Sequence, residues 1–88
     1  MIVYVTSGYQ EDKRTGEVTG ISVNGAFKSF RAARDFIYNK IELLVNNHNW
    51  VITRDEHDML DRFAFEWSVT ISYGNTDITF IICSFELR

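Results

Sequence analysis

The chain has 88 residues, with nine Lys and Arg against twelve Asp and Glu for a formal charge of −3, and it is 45% apolar and 15% aromatic. Such a composition excludes a disordered chain, and the length leaves room for one hydrophobic core rather than two. The charge gives no net basic excess for non-specific binding to phosphates, so nucleic acid is not an expected partner. The single cysteine, Cys83, excludes an internal disulfide, and its neighbours Ile81, Ile82 and Phe85 make it read as a buried small hydrophobe in a reducing compartment. Met1-Ile2-Val3-Tyr4-Val5 lacks the basic start and long apolar run of a signal peptide, and no stretch reaches membrane-spanning length. The expected location is the cytoplasm, with no membrane partner.

Residues 1–7 are β-branched and aromatic and lead into the polar run Gln10 to Gly16, which predicts a strand and an exposed loop. A second strand is expected over 17–24, where Thr19, Ile21 and Val23 alternate and Gly20 marks a bulge. Ser29 is a suitable N-cap for a helix carrying Phe30, Ala33, Ile37, Ile41 and Leu44 on one side, which should close in Asn46-Asn47-His48-Asn49. Thr53-Arg54-Asp55-Glu56 has the form of a capping box, and Met59, Leu60, Phe63 and Ala64 follow as an apolar stripe, so a second, shorter helix is expected here.

From Glu66 the period becomes two, with Trp67, Val69, Ile71 and Tyr73 alternating with polar residues up to Gly74-Asn75, a two-residue hairpin turn. The turn pairs Tyr73 with Thr76, Ile71 with Ile78, Val69 with Phe80 and Trp67 with Ile82, which places every apolar pair on one face. The last strand is apolar on both faces and is therefore expected at the centre, beside the first. The predicted fold is a single α+β domain: a two-layer sandwich in the order ββααββ, with a four-stranded, mainly antiparallel sheet of spatial order 2-1-4-3 and two helices on one face.

No catalytic machinery is evident. The five glycines, at 8, 16, 20, 25 and 74, do not form a phosphate loop, no G-x-S-x-G element is present, and Cys83 lacks the setting of an activated thiolate. The acidic group Asp55, Glu56, His57, Asp58 and Asp61 would place His57 and Asp61 one helical turn apart, a spacing that suits a metal. A solvated acidic face at a helix start explains the group more simply, and no metal or cofactor is expected. Lys28, Arg31 and Arg34, near the first helix's start, together with Lys13 and Arg14, could form a patch for an acidic partner or phosphate; a solvated helix face is the simpler reading. Tyr4, Tyr9, Trp50, Trp67 and Phe85 would stack on bases if exposed, but their apolar neighbours favour the core.

At Val3-Tyr4-Val5, Ala26-Phe27-Lys28-Ser29, Ala33-Arg34-Asp35-Phe36-Ile37 and Ile82-Cys83-Ser84-Phe85-Glu86-Leu87 the chain resembles small phage and mobile-element proteins of unknown function. The resemblance covers about half the chain and brings no catalytic residues. It implies a viral or prophage origin, where small proteins often act by binding and blocking a host protein. The expectation is therefore a non-enzymatic module that binds, and inhibits, a host defence or replication protein through the acidic residues Asp55, Glu56, Asp58 and Asp61 or through Ile81, Phe85 and Leu87 on the open sheet face. The alternative is sequestration of a small anionic ligand such as a nucleotide by Lys28, Arg31 and Arg34. The open row of Ile81, Cys83, Phe85 and Leu87 needs a cover. A homodimer through this face is expected first, with a host partner or the curled N-terminal hairpin as alternatives.

Overall fold

The computed structural model describes residues 1–21, 24–59 and 65–86, with residues 54–59, 65 and 66 described by their backbone. The elements in chain order are β1 (Ile2–Asp12), β2 (Glu17–Gly20), β3 (Gly25–Phe27), α1 (Phe30–His48), β4 (Val51–Met59), β5 (Phe65–Tyr73) and β6 (Thr76–Glu86). They form one antiparallel six-stranded sheet of order β2-β1-β6-β5-β4, with β3 beside β2 on the outer edge of β1. Among the described residues one helix packs on it.

The expected 2-1-4-3 order survives as the run β2-β1-β6-β5, and the C-terminal hairpin has the expected register of Tyr73 with Thr76, Ile71 with Ile78, Val69 with Phe80 and Trp67 with Ile82. Gly74 adopts φ 59° to make the turn, a conformation that costs a glycine little. β6 also lies against β1 along eleven residue pairs, from Ile2 with Glu86 to Asp12 with Thr76. The last strand is central, as its two apolar faces require.

Two expectations are corrected. There is no second helix at Thr53: residues 51–59 form β4, an edge strand antiparallel to β5, so the element order is not ββααββ and the sheet has six strands rather than four. The β-branched run Val51-Ile52-Thr53 favours a strand, and pairing along the outer edge of β5 satisfies backbone groups that a short helix would have left exposed there. Asp55, Glu56, His57 and Asp58 therefore lie on a strand, and Asp61, with Leu60, Phe63 and Ala64 of the expected stripe, lies outside the described residues. The expected second strand over 17–24 is the other correction. Of it only 17–20 is seen as strand β2, Val23 lies outside the described residues, and a separate strand β3 follows at 25–27, its pairing with β1 offset by two residues between Tyr9–Gly20 and Thr6–Gly25.

The helix forms where expected. Ser29 accepts a hydrogen bond from the Ala32 N–H at 3.1 Å, and Asn49 closes the helix in the left-handed region at φ 61°. Ala33, Ile37 and Ile41 are buried against Trp67, Val69, Ile71, Ile78, Phe80 and Ile82, and these form the core among the described residues. A ring cluster extends it: Phe30 lies 6.0 Å from Tyr4 and 6.1 Å from Trp67, and Tyr38 lies 5.8 Å from Trp67. No helix among the described residues is long and apolar enough to cross a membrane.

Candidate functional site

With α1 on one face, the strands β1 and β6 turn their other side chains to a face that no described element covers. Side chains alternate along a strand, so Val3, Val5, Ser7, Tyr9 and Glu11 of β1 share this face with Phe85, Cys83, Ile81, Thr79 and Asp77 of β6, each directly opposite its partner. The stripe is apolar at one end, with Val3, Val5, Ile81, Cys83 and Phe85. At the other end it is polar. Phe85 is 53% exposed, while Ile81 and Cys83 are half-buried. Cys83 is thus not the buried core residue that its neighbours suggested: Ile82 enters the core, and the alternation carries Cys83 to the opposite side.

The polar end is a recess of about 270 Å³ lined by Tyr9, Glu11, Thr53, Thr70, Asp77 and Thr79. Hydroxyl groups link the strands across it. Thr70 and Thr79 share a hydrogen bond of 2.9 Å, and Thr53 and Ser72 share one of 3.0 Å. Ser72 in turn donates to the Asp77 carboxylate, and the Lys13 ammonium stands 3.4 Å from the same group. Thr53 enters this network through an irregularity in β4: its register against β5 slips by one residue between Ile52 and Arg54, and the Thr53 hydroxyl shares its one proton between the Ser72 hydroxyl and the Thr70 carbonyl, 3.3 Å away. Past that slip, β4 brings Asp55, Glu56 and Asp58 to the edge of the sheet, opposite Val69, Ser68 and Glu66.

The two groups of candidate binding residues lie on different strands: Ile81 and Phe85 are on the uncovered side of β6, Asp55, Glu56 and Asp58 are on the edge strand β4, with β5 between them, and Leu87 and Asp61 are outside the described residues. Glu11, Asp77, Thr70 and Thr79 escaped the sequence reading. Their signal was parity: Glu11 alternates with Val5, Asp77 and Thr79 alternate with Ile81, and Thr70 is out of step with the core residues Val69 and Ile71 and pairs with Thr79.

Arg31 and Arg34 lie in the other layer, where they line a groove of about 640 Å³ with Phe30, Tyr38, Asp35 and Glu42. Lys28 is exposed and does not line it. Two carboxylates in the same groove oppose binding of an anion, and the Arg34 guanidinium rests 5.2 Å from the Tyr38 ring one turn along the helix, as Lys40 rests 4.7 Å from Phe36. Trp67 is buried and Tyr4 packs on Phe30, so neither offers a stacking platform. His57 is in a strand, where the helical spacing to residue 61 does not apply, and no group of three His, Cys, Asp or Glu side chains gathers among the described residues.

No family model matches the chain, and no match is found among the curated proteins or the solved structures.

Proposed function

We propose that the chain acts by binding a protein through its uncovered sheet face, and that the partner is a host defence or replication protein whose action it blocks. The observation that carries this reading is the apolar end of that face, where Val3, Val5, Ile81, Cys83 and the exposed Phe85 lie side by side on two central strands. Contiguous apolar surface rimmed by polar groups is the usual mark of a protein-binding site. The host as partner is supported by the resemblance to small phage proteins. No residue is assigned a catalytic role, and the place of action is the host cytoplasm.

Native mass spectrometry of the protein released from the cells that make it tests this. The expected species is a complex with a polypeptide that Phe85→Ser no longer retains. A bound nucleotide that is lost in Arg31→Ala and Arg34→Ala would replace this reading with anion sequestration.

A further inference from the structure

At its polar end the uncovered face is three strands wide, because the register carries it from β1 and β6 onto β5. Glu11, Asp77 and Ser72 lie in one row across these strands, and Tyr9, Thr79 and Thr70 lie in the next. On a flat sheet such rows would simply face water. Here they form the recess of about 270 Å³, and Thr79 at its floor is only 8% exposed. The slip in β4 supplies a wall, since it turns the Thr53 hydroxyl toward Ser72 and the Thr70 carbonyl.

The hydrogen bonds inside the recess leave a definite remainder. Ser72 gives its one proton to Asp77 Oδ1, so Thr53 is the donor in the bond between Thr53 and Ser72. Lys13 stands against the same Oδ1. Asp77 Oδ2 and both carboxylate oxygens of Glu11 have no hydrogen-bond or ion-pair partner among the described residues. Thr70 and Thr79 spend one proton on the bond between them, which leaves the other to donate, and the Tyr9 phenol adds a second donor.

This remainder selects the ligand. An anion would meet the Glu11 and Asp77 carboxylates, and an apolar group would leave them unpaired. A metal ion would find two carboxylates, with no third His, Cys, Asp or Glu gathered beside them among the described residues. An ammonium accepts no hydrogen bond, so the threonine and Tyr9 protons would have nothing to meet. Sugar hydroxyls both donate and accept. The C–H face of a sugar ring can also rest on the Tyr9 ring, which packs on no other ring among the described residues. The volume lies just below the range of about 300–1,000 Å³ that takes drug-sized ligands, so it suits one ring rather than a chain.

We infer that this recess binds a single neutral sugar ring, with neighbouring hydroxyls donating to Glu11 and to Asp77 Oδ2, another accepting from the Thr70 and Thr79 pair, and Tyr9 against its C–H face. The site is separate from the protein-binding reading, which rests on the apolar end of the face.

Titration of the whole chain with the methyl glycosides of glucose, galactose and mannose, followed by amide chemical shifts, tests this. At least one should shift the amides of Tyr9, Thr70 and Thr79 with a dissociation constant in the millimolar range. Glu11→Gln, which keeps the side chain's shape, and Tyr9→Ala should each weaken that binding roughly tenfold, while Phe85→Ser leaves it unchanged. No shift with any of the three at about 50 mM, well above a millimolar constant, would overturn the inference. So would shifts with propylammonium or calcium ions and none with the glycosides, which would make the recess a cation site. Sugar shifts confined to α1, or indifferent to both Glu11→Gln and Tyr9→Ala, would overturn it as well.

Discussion

At the scale of single residues, the ends of α1 follow from local chemistry, and that is why they were legible. Ser29 satisfies a backbone donor that the helix leaves free, and Asn49 tolerates the left-handed conformation that ends it. Ser29→Ala should lower stability by about 1 kcal/mol, read as a shift in the urea midpoint at unchanged slope. Asp12 makes a second local motif where β1 ends and the turn to β2 begins. Its carboxylate accepts from the Arg14 N–H at 2.9 Å, and that backbone bond, followed by the Arg14 side chain, holds its pKa below the ordinary 3.8. A carboxyl depressed in the folded state stabilises the fold above its unfolded pKa, and the contribution is lost as pH falls through the folded one. A carbon-13 titration of Asp12 should therefore show a midpoint below 3.8. The midpoint should stay depressed in Arg14→Ala, because the larger, backbone donor survives.

At the scale of elements, the C-terminal hairpin was legible because turn chemistry and alternation specify the same register independently. β4 was not. The Thr53 and Glu56 spacing satisfies a helix start as well as it does a strand, and only the presence of the β5 edge decides between them. The recess was illegible for a related reason: Glu11, Thr53 and Asp77 come from three segments that only strand pairing brings together. The two faces of the hairpin can be tested separately. Val69→Asp puts an unpaired charge among fully buried neighbours and should cost several kcal/mol, enough to abolish the thermal transition seen by circular dichroism. Thr70→Asp, on the uncovered face and half-buried, should lose the bond to Thr79 and keep the fold. Equal loss in both variants would mean that the faces are reversed.

At the scale of the whole molecule, the helix α1 covers one side of the sheet, and the face left open among the described residues has to be compatible with a chain that stands alone in water. The charge at the polar end and the half-buried state of Ile81 and Cys83 provide for this. Light scattering at micromolar concentration should give a mass near 10.3 kDa for the wild type and for Phe85→Ser alike. Because Phe85 is more than half exposed, the substitution should change the free energy of unfolding by no more than about 0.5 kcal/mol. A larger loss would place Phe85 in the packed interior and remove it from any binding surface. Both edges of the sheet discourage indiscriminate pairing: β2 is four residues long, and β4 carries charged residues and an irregular register.

The pairing of β1 with β6 also determines how the molecule reaches its native state. Ile2 and Glu86 are neighbours across the sheet and nearly the whole chain apart in sequence, and every other pair between these strands closes a loop of more than sixty residues. The β5–β6 hairpin can form early, since its turn brings partners together at little entropic cost, but the strand that completes its other edge arrives only after that long closure. Such non-local topology places folding in the millisecond-to-second range despite the small size of the chain. Stopped-flow refolding followed by the fluorescence of Trp50 and Trp67 should show this slow phase. Ser7→Ala in β1 should leave its rate nearly unchanged while Val69→Ala in the hairpin slows it, as expected if the hairpin is the part of the transition state already formed. During synthesis β1 emerges long before β6, so the edge of β1 that β6 will cover stays unpaired until the more than sixty residues between them have been made.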